Sequence, residues 1–350
     1  MKRNGIDSTR PAMLSQQPPA PLDRKGSWAG DILQAVFVAG LISALLFLRH
    51  IPAFQTLSIT FVSIVLEAFP FMLVGALVGG FLEVFVPRER MAAVLPSAKR
   101  RTIFLAAGLG LLFPVCECAI VPVVRRLLHK GLPLGAGVAF LLGGPIVNPL
   151  VAVSTAVAYN FTGSVVLERM VLGYLAAVSV GLLFDLLFSP KTAVLEAVLQ
   201  PVQGDPSAGA DTPAVSSRII AAVRHAADDF LDIGRFLVIG AFFAGLLQTA
   251  VPRQAFIALS DAPVLSILAM MGMAVGLNLC SEADAFVAAS FRMLLPGSAQ
   301  MAFMVLGPML DIKLLMMYLG VFRKRAIAVL AFLTFTVVFL AVLLMESVMP

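Results

Sequence analysis

The sequence predicts an all-α polytopic membrane protein of about nine transmembrane helices, built from two inverted internal repeats with re-entrant or broken helices. Three observations carry this. Sixty per cent of the 350 residues are hydrophobic and 13% are charged, and the mean hydropathy is +0.97, more apolar content than a soluble core needs. The apolar residues fall in long runs with Lys and Arg gathered at their ends, where positive charge sets orientation. The second half of the chain can also be laid on the first. The net charge of +5 is thus a matter of topology, and the expected partner is the lipid bilayer, not nucleic acid. Three cysteines, two of them one residue apart, make no disulfide framework.

Residues 1–27 are polar and proline-rich, with Lys2, Arg3, Arg10, Arg24 and Lys25, and read as a disordered cytoplasmic tail. Residues 28–56 carry a first transmembrane helix, whose apolar run at 32–48 is long for a signal peptide and lacks a clear cleavage site. Repeat 1 spans 57–188. Its run 57–86 contains Glu67, Pro70 and three glycines, Gly75, Gly79 and Gly80, suited to close helix packing. Run 102–128 contains Pro114, Cys116, Glu117 and Cys118 and ends in Arg125, Arg126, His129 and Lys130. Run 131–159 is interrupted by Gly143, Gly144, Pro145, Ile146, Val147, Asn148 and Pro149. That is a broken helix, tolerated in a membrane where the loosened backbone lines a cavity or is buried in protein. Run 165–188 closes the copy. Residues 189–228 open with a shift to Pro, Gly, Ser, Asp and Gln and read as a solvated linker. Repeat 2, residues 229–350, has apolar runs at 230–251, 264–295, 299–322 and 326–345.

The repeat rests on matched positions. Leu66, Glu67, Gly75, Pro87 and Arg88 fall on Leu231, Asp232, Gly240, Pro252 and Arg253 at one constant offset. With one residue fewer, Cys116 and Ala119 fall on Cys280 and Ala283; with one fewer again, Pro133, Gly144, Pro145 and Asn148 fall on Pro296, Gly307, Pro308 and Asp311. Duplication of this size is a habit of transporter folds. If 102–128 and 264–295 dip in and return as hairpins, the copies are inverted. The N-terminus and the basic stretches 125–130 and 323–325 then lie inside, and the loops 160–164 and 260–263, without Lys or Arg, lie outside. Arg253 and Arg292 run against that count. If every long segment crosses, the 125–130 cluster is forced outside, so the inverted arrangement is preferred. It brings the tips at Cys116 and Cys280 together beside the breaks at Pro145 and Pro308, as a substrate pathway in outline.

An ionisable group at the centre of an apolar segment costs about 2.5 to 3.5 kcal/mol on insertion scales, so one found there points to function. Cys116, Cys118 and Cys280 suit a soft ion such as Cu(I), Zn(II) or trivalent arsenic; the plain alternative is that free cysteine is a small buried hydrophobe. Glu117, Glu282 and the nearby Asp284 are candidates for proton coupling, since desolvation shifts a buried carboxylate towards neutral pH; equally, they are candidates for helix-start caps. Asn148 and Asp311, beside Pro145 and Pro308, either contact substrate or satisfy backbone groups that the prolines free. Glu67 and Asp232 form another matched pair, on the pathway or paired with an arginine such as Arg235. The three histidines, His50, His129 and His225, lie near segment ends, so no thiol has a base and no catalytic residue is expected. No Walker-type glycine loop, HExxH or GxSxG occurs, and no cofactor is expected.

Several of these stretches carry a resemblance. Phe113 to Cys118 with Ile120 and Pro122, Lys130-Gly131-Leu132-Pro133, Ala139-Phe140-Leu141, Pro145 to Pro149, and Leu279 to Phe286 together resemble the predicted permeases of the YraQ/ArsP type. That family includes organoarsenical efflux permeases and proposed copper and zinc exporters. The resemblance spans nearly all of the chain apart from the tail and first helix. It implies an integral, multi-pass permease of the bacterial cytoplasmic membrane, with a small partner subunit in some members. The expected function is export of a soft metal or metalloid species through the Cys and acidic residues, with a non-transporting membrane subunit or assembly factor as the alternative.

Overall fold

Long apolar runs become long helices in the computed structural model, which describes residues 52–85, 99–112, 116–199, 215–250 and 263–348. The expected tail, the apolar run 32–48 and Pro114 lie outside the described residues. Four described helices are long and apolar enough to cross a membrane: α1 (Pro52–Phe85), α6 (Gly163–Leu187), α9 (Val215–Ala250) and α14 (Lys324–Val348). At about 1.5 Å per residue each exceeds a hydrocarbon core of about 30 Å. Among the described residues no strand forms, and the chain is an all-helical, polytopic membrane protein.

Shorter helices fill the space between the long ones. After α1 come α2 (Lys99–Gly108), a 3-10 turn (Leu109–Leu111), α3 (Glu117–His129), α4 (Leu134–Gly143) and α5 (Pro149–Ala158), then α6. After α9 come α10 (Pro263–Leu277), α11 (Ser281–Ser290), α12 (Gly297–Leu306) and α13 (Ile312–Tyr318), then α14. The starts match in kind: Cys116 and Cys280 cap α3 and α11, and Pro133 and Pro296 cap α4 and α12. Asn148 and Asp311 cap α5 and α13. The runs expected to break do so at Gly144–Val147 and Gly307–Leu310. Each chain restarts because a side-chain oxygen takes up a freed backbone donor: Asn148 Oδ1 accepts from Leu150 N at 2.9 Å, and Asp311 Oδ1 from Leu314 N at 2.5 Å.

Two boundaries differ from expectation. Helix α1 begins at Pro52, inside the range assigned to a first helix at 28–56, and proline is well suited to a first helical position. The stretch 189–228 is not simply a solvated linker. Within it, α7 (Pro190–Ala193) and α8 (Glu196–Leu199) form a strap with Ala193, Val194 and Val198 buried. The strap is tied to the α13–α14 turn: Leu195 N donates to Val321 O at 3.0 Å, and Arg323 N to Ala193 O at 2.8 Å. It also packs on α3. From Val215 the chain is already α9. Composition over the whole stretch masks both the short apolar cluster and the charged first turns of α9, which run on to Asp229, the partner of Arg126 on α3.

Helix α1 lies along α9 and also packs on α3, while α4 sits between α2 and α6. Two contacts run crosswise: α11 packs on α5, and α13 on α3. At Gly75 the α1 backbone reaches the α3 backbone, where an added Cβ would lie 2.7 Å from Ala119 Cα. The two ends of α6 are distinct places. Tyr159 precedes its start and donates a hydrogen bond to Gln300 Oε1 at 2.8 Å. Phe322 packs edge-on against Phe184 near its far end, with ring centroids 6.4 Å apart.

Candidate functional site

Glu117 is the first residue of α3, a position where the helix dipole favours a carboxylate. Its side chain is 2% exposed and meets two groups from the second half of the chain. Lys313 Nζ lies 3.2 Å from Glu117 Oε1, and Ser281 Oγ donates to Glu117 Oε2 at 3.4 Å. The same ammonium lies 3.7 Å from Asp311 Oδ2. Lys313 is held in register by its backbone, whose N–H donates to Asn278 Oδ1 at 2.9 Å. Asn278 itself sits at positive φ, 49°, just before the Cys280 cap, a conformation asparagine tolerates better than most residues. One buried ionic cluster therefore joins the first turns of α3, α11 and α13.

The thiols divide into two groups. Cys116 and Cys118 flank Glu117, both buried. Cys280 is only partly buried and has the Glu67 carboxylate of α1 as a near neighbour. Glu67 is exposed midway along α1, so the cluster meets the molecular surface on the Cys280 side. Among the described residues no group of three or more His, Cys, Asp or Glu side chains is arranged to hold a metal ion. The three cysteines are thus a pair and a single, not a ready-made trio.

The other expected residues take varied places. Glu282 is partly buried beside Ser281, whose Oγ lies 3.3 Å from its Oε2. Asp284 is 1% exposed, and its Oδ2 has no hydrogen-bond partner among the described residues. A Cβ on Gly307 would come within 2.6 Å of that oxygen, so the carboxylate fills the notch opened by the α12 break. Pro145 and Pro308 are buried in the two breaks, and Asn148 and Asp311 are caps as described. Asp311 also faces Lys313, so for it the capping and site readings coincide. Asp232 pairs with Arg125 Nη2 at 3.1 Å, while Arg235 donates to the Asp232 carbonyl and not, among the described residues, to its carboxylate.

Two buried cations went unread in the sequence. Lys313 is 4% exposed and Arg169 is fully buried. From α6, Arg169 donates to Thr155 Oγ1 at 2.8 Å, to Ser281 O at 2.7 Å and to Met304 O at 3.1 Å, binding the two halves together. Each lies in a predominantly apolar run beside a carboxylate, Glu168 before Arg169 and Asp311 before Lys313, and the rule that singled out Glu117 applies equally to them. A second ionic layer lies at the far end of α3. Asp229 pairs with Arg126 and, at 3.3 Å, with Arg125. His129 Nδ1 lies 3.3 Å from Glu83, and Lys130 donates to the Glu83 carbonyl at 2.6 Å.

Comparison with known proteins agrees with this architecture. Residues 53–347 match a family model described as a predicted permease, ArsP_1. The chain is 39% identical over 279 residues to UPF0718 protein YcgR of Bacillus subtilis, covering 79% of this chain and 92% of the relative. It is 35% identical over 281 residues to a Streptococcus mutans protein named "Putative two-component membrane permease complex subunit", covering 80% and 91%. UPF0718 protein YraQ of Escherichia coli matches over 75 residues at 27% identity, 21% of this chain and 22% of the relative. No solved structure matches. With a family model spanning all four long helices and the ionic cluster between them, this chain belongs to the ArsP_1 family of predicted permeases.

Proposed function

We propose that this protein exports a soft metal or metalloid species, a trivalent organoarsenical, copper or zinc, through the centre at Cys116, Glu117 and Cys118. The carrying observation is that two buried thiols flank a buried carboxylate at the start of α3, where groups from both halves of the chain converge. Thiolates select soft ions. Two adjacent thiols fit Cu(I) or a trivalent arsenical better than Zn(II), which takes four ligands in closed sites. Cys280 and Glu67 mark the way in from the surface, and Glu282 and Asp284 are the carboxylates available for proton coupling. Asn148 and Asp311, with Pro145 and Pro308, shape the broken segments beside the centre. The two halves act as inverted copies: Tyr159 and Phe322, which follow the matched helices α5 and α13, lie at opposite ends of α6. In this reading the N-terminus is cytoplasmic.

Uptake of methylarsenite, Cu(I) and Zn(II) into everted vesicles tests it. Wild-type vesicles are expected to accumulate at least one of the three, and Cys116→Ala/Cys118→Ala is expected to lose more than about nine-tenths of that uptake, as removal of paired ligands should. Full uptake by the double variant refutes the thiol centre. A second reading, a subunit of a permease complex, is favoured by the printed name of the Streptococcus mutans relative. Uptake that appears only when a second, co-purifying membrane protein is present would support it.

A further inference from the structure

We propose that Lys313 is a tethered counter-cation: its ammonium holds the cation position of the Glu117–Asp311 centre when the site is empty, and an arriving cationic substrate displaces it. This rests on the soft-cation reading above and adds the means by which the empty centre is kept neutralised.

The geometry supports it in three ways. First, Lys313 is anchored by its backbone, through the bond from its N–H to Asn278 Oδ1. Among the described residues its ammonium contacts two carboxylates, hydrogen-bonded to Glu117 at 3.2 Å and 3.7 Å from Asp311. A lysine ammonium is a compact charge on a flexible stem, so the head can leave while the tether stays. Second, the ammonium does not saturate the centre. Asp311 Oδ2 is fully buried and has no hydrogen-bond partner among the described residues, and the 3.7 Å separation is an ion pair without a bond. A buried carboxylate oxygen left in that state is a demand for a closer cation. Third, the fold does not require the pair. The positions matching Glu117 and Lys313 in the other copy are Ser281 and Leu150, and Asn148 caps α5 there with no lysine following it. A charge pair present in one copy and replaced by Ser and Leu in the other is a feature of the site.

The consequence is competition. A tethered ammonium that fills the site about nine-tenths of the time weakens apparent substrate affinity about tenfold. It also means the centre need never stand empty as two uncompensated carboxylates in a low-dielectric interior, an arrangement that is strongly unfavourable.

The test uses the purified full chain in detergent and Ag(I), a redox-stable soft cation, as probe. Lys313→Met is expected to bind Ag(I) about tenfold more tightly than wild type, and Lys313→Arg to stay near wild type. Lys313→Met strips the counter-charge from two buried carboxylates, so a charge-balanced pair guards against misfolding. Asn caps a helix as well as Asp, and Asp311→Asn/Lys313→Met is therefore expected to fold and to bind Ag(I) more tightly than Asp311→Asn alone. If wild type binds Ag(I) and removing Lys313 brings no gain in either background, the tethered-cation proposal falls while the soft-cation centre stands. If neither wild type nor any Lys313 variant binds Ag(I), both fall.

Discussion

A buried ion pair in this protein is a liability as soon as one partner is lost, and Asp229 with Arg126 is the clearest instance. Asp229 is 2% exposed and Arg126 8%, and Arg126 also donates to the His225 carbonyl. Removing only the anion strands a guanidinium among apolar side chains. Asp229→Ala is therefore expected to destabilise by about 3 kcal/mol, seen as a lower thermal midpoint in detergent. Removing both charges in Arg126→Met/Asp229→Asn is expected to recover most of that loss, because neutral side chains of similar volume replace the desolvated ions. A double variant as unstable as the single one would show that the charges themselves, beyond their mutual compensation, hold α3 to α9. The same residue-scale logic explains what could be read beforehand. Glu117 stood out because it broke an apolar run. Lys313 and Arg169 break apolar runs in the same way, but Asp311 before Lys313 and Glu168 before Arg169 make each look like one half of a local charge pair. Asp229 was harder: it lies just ahead of the apolar run 230–251, and only the pairing partner on α3 identifies it as buried.

At the scale of elements, small residues decide how closely helices approach. Gly75 and Gly79 lie one turn apart on α1, yet they face α3 differently. A Cβ at Gly75 would sit 2.7 Å from Ala119 Cα and 2.8 Å from Ala119 C, both backbone atoms; at Gly79 it would meet Arg126 Cγ at 3.3 Å and Pro122 O at 3.4 Å. Backbone cannot step aside, while a flexible arginine stem can. Gly75→Ala is thus expected to cost about 1–3 kcal/mol, as overpacking does, and Gly79→Ala less than about 1 kcal/mol. Equal thermal midpoints for the two variants would mean that α1 and α3 slide past each other freely. That α1 would pack closely was legible in its glycines, and the helix breaks were legible in Pro145, Asn148, Pro308 and Asp311. The strap at Pro190–Leu199 was not legible. Two helices of four residues leave no periodic signal, and the buried Ala193, Val194 and Val198 are covered by chain far away in sequence.

At the scale of the whole molecule, the proposed orientation can be tested through α6. This helix has 25 residues, about 37 Å at 1.5 Å per residue, enough to cross a bilayer. Asn160, at positive φ in the turn before it, marks one end. At the other end the strap follows Leu187 and pairs with the α13–α14 turn through Leu195–Val321 and Arg323–Ala193, so Arg325, one residue into α14, belongs there. Helix α3, whose last turns and C-terminal cap carry Arg125, Arg126 and Lys130, also packs on the strap. The clustering of Arg125, Arg126, Lys130 and 323–325 at one end is what a cytoplasmic face requires. Single cysteines placed at Asn160 and Arg325, in a background whose three native cysteines are serine, are therefore expected to react with an impermeant maleimide from opposite sides. Asn160 should label in intact cells and Arg325 only in everted vesicles. Labelling of both from the same side would mean that α6 does not span. The matched halves would then run parallel, and the proposal that the crosswise contacts of α3 with α13 and of α5 with α11 meet at the middle of the membrane would fall.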